Sequence, residues 1–407
     1  MEYLTLHEHE QREVNLSSIE VDTLRRFFPK QLEVWPTLEP GKYQIKAHSY
    51  AGVIVLPSGK TIYIDPKIPV QTLFALLARV YDPNKEIFDD QPQPYSTISE
   101  LFEFIVSFFA SHTEDLIARG LLRGYQSRIE DSQAIRGRLL IAETLHHHPG
   151  LHDKHWCSYR HFTPDVPENR ILLWTTFVLR AWNYVDVALF GRLHRIQHIL
   201  ADVYMDPYAR LLVDRLEFHR LNDSYEPALT LARLILDHLS FTGSQGTEPF
   251  LAYLIDMDVL FQQYLSVVLQ QETRKNEFWV KEEETHPLDL GRQIIIRPDI
   301  LLYKGEKPCL IVDAKYKLSA AQEDLYQMLA YCHAVGLNQA VLVHPDSETA
   351  PIGSVSMRGP GDIRVDYLSL NLSGDLQQID DQGKQMVSKI LQVIHRQQFE
   401  EILMKST

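Results

Sequence analysis

The first 95 residues carry the alternation of apolar and polar positions that is typical of β-strands. Tyr43–Ala47 alternates in this way, while Gly52–Leu56 and Thr61–Ile64 flank a short polar turn, which predicts a hairpin. Val70–Tyr81 has the apolar spacing of a short helix. We therefore expect residues 1–95 to form a β-rich N-terminal domain.

Residues 96–245 carry apolar side chains at the spacing of amphipathic helices. The predicted helices are Ile98–Ala118, Asn169–Leu189, Leu193–Val203 and Tyr225–Leu239. Asn222, Asp223 and Ser224 precede the last of them and are predicted to cap it. This pattern predicts a helical middle region that ends near Phe241–Thr247.

Helical and strand-like patterns alternate from residue 246 to residue 407. The predicted helices are Phe250–Gln271, Ala320–Val335 and Asp380–Met404, and the predicted strands are Phe278–Val280, Ile294–Tyr303, Cys309–Tyr316, Ala340–Val343 and Ile363–Tyr367. The pattern predicts a C-terminal α/β domain with a mixed central sheet, and an α+β multidomain chain as a whole. The order of a helix, three strands, a helix and a strand resembles the core of PD-(D/E)xK restriction-endonuclease-like domains.

Two neighbouring strands of this last domain carry charged residues where apolar ones are expected. Asp299 lies at the start of one apolar run, Asp313 and Lys315 lie at the end of the next, and Gly305–Glu306 between the runs predicts a tight turn. Alternate residues of a strand face the same side, so Asp313 and Lys315 point the same way. A hairpin would bring Asp299 opposite them.

Two carboxylates and a lysine at one end of a hairpin form a site that suits a divalent cation. We expect Asp299 and Asp313 to bind Mg²⁺, with Mn²⁺ as an alternative, and the backbone carbonyl of Ala314 to add an oxygen ligand. Lys315 would orient a metal-bound water and stabilise charge on a phosphate. The alternative is that Asp299 caps a turn and Asp313 forms a partly exposed ion pair with Lys315. Burying such charges without a metal or a partner is costly, which favours the metal site.

Further polar residues are candidates for the same site. Gln327 and Tyr331 share a helix face, so Gln327 could reach the metal-bound water or a phosphate; the alternative is an ordinary amphipathic helix with Tyr331 in the core. A third metal carboxylate could come from Glu248, Asp256 or Asp258. Each of these three could instead cap a helix or lie at the surface.

The charge balance limits how this chain could bind nucleic acid. The 407 residues carry a net charge of −14, which argues against tight DNA binding without a partner, because such binding depends on clustered cations. The strongest basic patch consists of Arg119, Arg123, Arg128, Arg136 and Arg138. A solvated or salt-bridged helical surface explains this patch equally well.

Other sequence features exclude several classes of protein. No apolar run is long enough to span a membrane, no secretion signal is visible at Met1–Leu4, and three scattered cysteines suit a reducing compartment, so we expect a cytoplasmic protein. Ser58–Thr61 resembles the end of a phosphate-binding loop, but Ile54 stands where that loop requires glycine. We therefore expect that this chain itself binds no nucleotide.

Segments in all three regions carry a family resemblance. They are Tyr50–Pro57, Ile62–Ile68, Gly137–Leu139, Phe162–Arg170, Tyr225–Leu229, Asp256–Phe261, Arg297–Asp299, Asp313–Lys317 and Tyr326–Tyr331. In these segments, which are spread over most of its length, the chain resembles McrC, the nuclease subunit of McrBC-type modification-dependent restriction systems. One position departs from the family pattern: Gln262 stands where a glutamate is often found, so either Asp256 or Asp258 replaces it or the metal site has two carboxylates only.

The resemblance implies a partner and a reaction. The partner is a McrB-like AAA+ GTPase hexamer that recognises modified double-stranded DNA, and McrC-like subunits dock on it through their N-terminal region and stimulate its GTP hydrolysis. The resemblance implies that this chain cuts the DNA as a Mg²⁺-dependent endonuclease in an anti-phage complex. Self-association of the nuclease domains is a further candidate interaction. Two alternatives remain: a non-cleaving adaptor that activates an AAA+ ring, and a standalone DNA repair nuclease.

Overall fold

The computed structural model describes residues 3–88, 95–150, 153–181, 186–242, 250–274, 277–317, 321–347, 353–357 and 362–405. The chain forms two compact units. The first consists of Met1–Leu101 together with Ala252–Thr407, and the second consists of Phe102–Leu251. The first unit is therefore discontinuous in sequence, with the second inserted between its two parts.

The N-terminal part of the first unit is β-rich, as predicted. Its elements are β1 (Tyr3–His7), β2 (Gln11–Asn15), α1 (Ser18–Phe27), β3 (Leu32–Pro36), β4 (Lys42–Ala47), β5 (Tyr50–Val55), β6 (Thr61–Asp65) and α2 (Val70–Tyr81). The predicted hairpin is confirmed as the antiparallel pair β5–β6, and the predicted helix over residues 70–81 is confirmed as α2. Strand β4 lies between β2 and β3 in a small antiparallel sheet.

The second unit contains helices and a three-stranded sheet. Its elements, with a first helix that begins shortly before the unit, are α3 (Ile98–Arg119), β7 (Gly124–Ser132), β8 (Arg138–Leu139), α4 (Ile141–His147), β9 (His155–Thr163), α5 (Pro167–Arg180), α6 (Val187–Ile199), α7 (Ala209–Val213), α8 (Glu226–His238) and β10 (Leu239–Thr242). The sheet has the order β7-β9-β8 and was not predicted. Buried positions in these strands occur only in β9, at Cys157 and Thr163, so the strands lack the apolar alternation that predicts a half-buried strand.

Three predictions for this unit are wrong in detail. The alternative of a helical surface for the arginine-rich stretch holds only for Arg119 at the end of α3, because Arg128 lies in β7 and Arg138 in β8. The predicted helix Asn169–Leu189 is two helices, because Asp186 caps a new one and accepts a hydrogen bond from Ala188 N at 3.2 Å. The side chain of Asn222 does not cap α8; it donates to Glu168 Oε1 at 3.0 Å.

The C-terminal part of the first unit supplies a second, larger sheet. Its elements are β11 (Phe250–Asp256), α9 (Met257–Thr273), β12 (Phe278–Glu282), β13 (His286–Pro287), β14 (Ile295–Ile296), β15 (Ile300–Lys304), β16 (Lys307–Ala314), α10 (Gln322–Val335), β17 (Gln339–Pro345), β18 (Gly353–Met357), β19 (Ile363–Leu370) and α11 (Leu376–Lys405). The strand order is β12-β15-β16-β17-β19-β18. The hairpin β15–β16 is antiparallel, whereas β16–β17 and β17–β19 are parallel, so the sheet is mixed as predicted.

The prediction of one helix over Phe250–Gln271 is wrong for its first seven residues. These form β11, which pairs antiparallel with β5, with Leu254 opposite Gly52. A short, continuous apolar run fits a buried strand as well as a helix, so its pattern could not decide between them. The helix begins only after Asp256, whose side chain accepts a hydrogen bond from Val259 N at 3.1 Å.

The core of the mixed sheet holds the hairpin β15–β16 in place. Leu301 and Ile311 lie opposite each other and are fully buried, with Leu342 of β17 and Met328 of α10 in the same cluster. Apolar burial of this kind makes the strand register unambiguous. The overall α+β class is confirmed. None of the helices in the described ranges is apolar over enough of its length to cross a lipid bilayer.

Candidate functional site

The register of the hairpin β15–β16 brings Asp299 and Asp313 together. Ile300 pairs with Val312, so the residues that flank this pair, Asp299 and Asp313, lie at the same end of the two strands. The backbone N–H of Ala314 donates to Asp299 Oδ2 at 3.0 Å. Asp299 therefore bonds across the hairpin to the strand that carries Asp313. The carbonyl of Ala314 stays a predicted metal ligand.

Lys315 completes the cluster from the end of β16. Its Nζ lies 2.7 Å from Asp313 Oδ2, and its backbone N–H donates to the carbonyl of Val343 at 2.9 Å. The Asp313 side chain has no exposed surface, whereas the Lys315 side chain is 20% exposed. The ion pair of the alternative interpretation is therefore present, with Lys315 partly exposed and the carboxylate of Asp313 buried behind it.

Burial raises the pKa of both carboxyl groups, and the charge of Asp299 adds to the rise for Asp313. The pKa of Asp313 is raised, first by burial and then by the nearby charge of Asp299, while Lys315 opposes the rise. The pKa of Asp299 is also raised by burial, and Lys315 and the Ala314 amide oppose it. Two like charges that repel each other in a buried site are relieved by a proton or by a cation.

The oxygen atoms of this pair fit a hard cation. Asp313 Oδ1 is buried and receives no hydrogen bond from the residues that the structure describes. A buried carboxylate oxygen without a donor is costly, and a divalent ion with oxygen ligands would satisfy it. The residues present therefore fit Mg²⁺ or Mn²⁺. Within the described ranges, no group of three histidine, cysteine or acidic residues is arranged to hold a metal.

The candidates for a third carboxylate lie in different surroundings. Asp256 caps α9 through its bond from Val259 N. Asp258 lies two residues further on, where burial raises its pKa and the charges of Lys67 and Lys315 lower it, so its carboxyl lies in the field of the site's lysine. Glu248 lies outside the described residues. Gln262, on α9, is half-buried.

Helix α10 presents a polar pair near the cluster. Gln327 Nε2 donates to Tyr331 Oη at 2.7 Å. The pKa of Tyr331 is raised, by burial first and then by the charges of Asp313 and Asp299. Tyr331 also belongs to the core of the mixed sheet. The alternative of Tyr331 in the core is therefore confirmed, and the role of Gln327 at the site stays a prediction.

Glu283 is a neighbour of the site that the sequence pattern did not single out. Its backbone N–H donates to the carbonyl of Asp299 at 3.1 Å, and its charge adds to the rise in the pKa of Asp299. It has a φ of +46°, an uncommon conformation for a residue other than glycine. A run of three glutamates looks like a solvated edge, and no signal in the sequence predicts the positive φ.

Comparison with known proteins gives the family. The family described as "McrBC 5-methylcytosine restriction system component" matches residues 45–345, which is more than half of the chain and includes Asp299 and Asp313. The chain belongs to this family. No curated protein matches it significantly.

One solved structure shares the fold over most of this chain. One similar chain comes from a refined half-complex of a tetradecameric assembly of Thermococcus gammatolerans McrB AAA+ hexamers with bound McrC. It has a TM-score of 0.60 and 16% identity, over 95% of this chain and 100% of that chain. A chain from the cryo-EM structure of the T. gammatolerans McrBC complex matches with a TM-score of 0.43 and 17% identity, over 66% of this chain and 87% of that chain.

Proposed function

We propose that this chain is the DNA-cutting subunit of a modification-dependent restriction complex. It would act as a magnesium-dependent endodeoxyribonuclease of the PD-(D/E)xK class. The observation that carries the proposal is the half-buried Asp299 beside the buried Asp313, with the ammonium of Lys315 against Asp313. The family assignment supports the restriction role, because the matched region contains these residues.

Asp299 and Asp313 are the residues that would hold the ion. Mg²⁺ is the first candidate and Mn²⁺ the second, with the carbonyl of Ala314 as a further ligand. A bound ion would supply a polarised water and a Lewis acid for a phosphate oxygen. The unsatisfied Oδ1 of Asp313 and the raised pKa values of both carboxyls support this assignment.

Lys315 would act on the phosphate side of the site. Its ammonium is held by the buried carboxylate of Asp313 but keeps 20% of the side chain exposed. From there it can donate a hydrogen bond to the attacking water and stabilise negative charge that develops on the phosphate. Gln327, oriented by its bond to Tyr331, is the residue that would help to position that water or the phosphate.

An AAA+ partner would provide most of the DNA binding. The solved relative is a McrC bound to McrB AAA+ hexamers, and we propose that this chain likewise works with a McrB-like GTPase ring that recognises modified double-stranded DNA. The net charge of −14 supports a role for the partner in DNA binding, because acidic residues outnumber basic ones and contacts to phosphates depend on clustered cations. Docking through residues 1–95 and pairing of nuclease domains are further parts of this proposal.

The test separates cleavage from stimulation of the partner. The chain is combined with its McrB-like partner, methylated duplex DNA, GTP and Mg²⁺, and DNA breaks and GTP turnover are scored separately. We expect Asp313→Asn to abolish cutting and to leave GTP turnover unchanged. Asp381→Asn is the matched control, because Asp381 is an exposed residue paired only loosely with Lys384. Cleavage by Asp313→Asn at the wild-type rate would refute the assignment.

A non-cleaving adaptor is the second candidate function. The observation in its favour is the absence, in the described part of the chain, of a three-carboxylate metal group, together with Gln262 at the position of the family glutamate. The same experiment distinguishes the two. An adaptor would stimulate GTP turnover while neither the wild type nor Asp313→Asn produced DNA breaks.

A further inference from the structure

A half-buried lysine from the N-terminal β-rich region contacts the residue that follows Lys315. Lys67 lies just after β6, and its side chain is 16% exposed. Its Nζ donates to the backbone carbonyl of Tyr316 at 2.8 Å and lies 3.7 Å from the centroid of the Tyr316 ring. This is a contact between residues 249 positions apart, within the first unit.

Glu8 fixes both members of this contact. Its Oε1 accepts hydrogen bonds from Lys67 N at 3.3 Å and from Tyr316 Oη at 3.4 Å, and its Oε2 lies 3.8 Å from Lys67 Nζ. The Glu8 side chain has no exposed surface. The backbone N–H of Glu8 donates to Asp65 at the end of β6, so strands β1 and β6 hold the carboxylate in place. Lys67 is thus held at three points. Its backbone N–H donates to the Glu8 carboxylate, its ammonium lies near the same carboxylate, and the ammonium also lies over the Tyr316 ring.

Tyr316 is the first residue after Lys315, and it is buried. Its side chain is 1% exposed, and its ring packs against Phe261 of α9 at 5.9 Å. Strand β16 ends at Ala314, and the bond from Lys315 N to Val343 is the last rung of the ladder with β17. Beyond that rung, the carbonyl of Tyr316 is held by the ammonium of Lys67.

We propose that Lys67 is a positioning residue for Lys315, and that Glu8 holds Lys67 for this purpose. Lys67, held by Glu8, fixes the backbone on the C-terminal side of Lys315 through its hydrogen bond to the Tyr316 carbonyl. The hydrogen bond from Lys315 N to Val343 of β17 fixes the backbone on the N-terminal side. The ammonium of Lys315 is thereby kept between Asp313 and the phosphate side of the site. This inference rests on the proposed nuclease function, and it assigns a role in cutting to residues of the N-terminal region.

The experiment measures DNA cleavage by the assembled complex that carries Lys67→Met. This substitution keeps a long, unbranched apolar side chain and removes the ammonium group. We expect kcat for DNA cleavage to fall by about tenfold to hundredfold, the usual effect of a small misplacement of a reacting group. The KM for DNA and the GTP turnover should stay within twofold of wild type. Lys67→Arg, which keeps a cationic donor, should recover cleavage to within about fivefold.

A second variant guards against a folding defect. Lys67→Met leaves Glu8 buried without its cation, so the double variant Glu8→Gln/Lys67→Met removes that charge and is compared with it by thermal unfolding. We expect the double variant to melt like the wild type and still to cut poorly. Wild-type cutting by either methionine variant would overturn the proposal. A loss that Lys67→Arg does not recover, or that GTP turnover shares, would reduce Lys67 to a packing role and would also overturn it.

The outcome is separable from that of the proposed function. If the wild-type complex produces no DNA breaks in Mg²⁺ or Mn²⁺, the nuclease assignment itself has failed. If the wild type cuts, Asp313→Asn does not, and Lys67→Met cuts normally, then only the positioning role has failed.

Discussion

Lys315 Nζ lies 2.7 Å from Asp313 Oδ2, so the ammonium covers a carboxylate that has no exposed surface of its own. The two residues are separated by one position, and the alternation of a strand puts both side chains on one side. Asp299 reaches the same point because the hairpin β15–β16 places it beside the end of β16. A two-residue motif and one hairpin register therefore bring these three side chains together.

Removing the charge of Lys315 should separate metal binding from catalysis. We expect Lys315→Met to lower the cleavage rate by about 10² to 10³, the usual cost of losing one group that stabilises a developing charge. Affinity for Mg²⁺ should be retained or should rise, because a competing cation has been removed from beside Asp313. Cleavage assays and isothermal titration with Mg²⁺ check the two halves. Loss of Mg²⁺ binding in this variant would contradict the assigned roles.

Metal-free stability should depend on pH through Asp313. Its folded pKa is raised above the unfolded value, so its contribution to stability is full below about pH 4 and is lost as the pH rises through the raised pKa. Asp313→Asn should therefore increase the free energy of unfolding near neutral pH by about 1 to 3 kcal/mol, the cost of an unsatisfied buried group. The gain should vanish near pH 4. Urea unfolding in a chelator across this range measures it; a gain independent of pH would argue against a buried, ionised Asp313.

Divalent ions should stabilise the folded chain only when both carboxylates are present. At a Mg²⁺ concentration of 100 times Kd, we expect a gain of about 2.7 kcal/mol in the free energy of unfolding. Asp299→Asn and Asp313→Asn should each lose most of this gain, whereas Asp381→Asn, at an exposed position, should keep it. Thermal unfolding with and without Mg²⁺ provides the comparison. Equal stabilisation of all four proteins would mean that the ion binds elsewhere.

The β5–β11 contact should be intolerant of any side chain at Gly52. A Cβ there would lie 2.0 Å from the carbonyl oxygen of Tyr253, and the residue has a φ of +148°. We expect Gly52→Ala to cost about 2 to 5 kcal/mol, from backbone strain and overpacking together. Gly59→Ala is the matched control, with a φ of +81° and nothing within 4 Å of its Cβ, and should cost about 1 to 2 kcal/mol. Equal losses in urea unfolding would show that strand β11 does not approach β5 so closely.

The hairpin that carries Asp299 and Asp313 was predictable because its signals are local. The strands are apolar, Gly305 marks the turn, and that glycine has a φ of +61°. The mixed sheet followed from the order of the predicted elements. The domain limits at residues 95 and 245 stay predictions, and so do the metal, Gln327 as a site residue and the docking region.

Three features could not be predicted, each because a distant segment determines it. The segment of β11 forms a strand because it pairs with the edge of β5, about 200 positions earlier in the chain. In this pairing Leu254 lies opposite Gly52. Glu283 comes near Asp299 through a positive φ that local propensity disfavours. Lys67 contacts Tyr316 only after β6 and β16 belong to one folded unit.

The most direct measurement is anomalous X-ray scattering from crystals of the chain soaked in Mn²⁺. A single anomalous peak is expected between Asp299 and Asp313, at about 2.0 to 2.3 Å from a carboxylate oxygen of each, and it should be absent from Asp313→Asn crystals treated in the same way. Wild-type crystals with no peak at these two carboxylates, or a peak unaffected by Asp313→Asn, would contradict the assignment of the metal site.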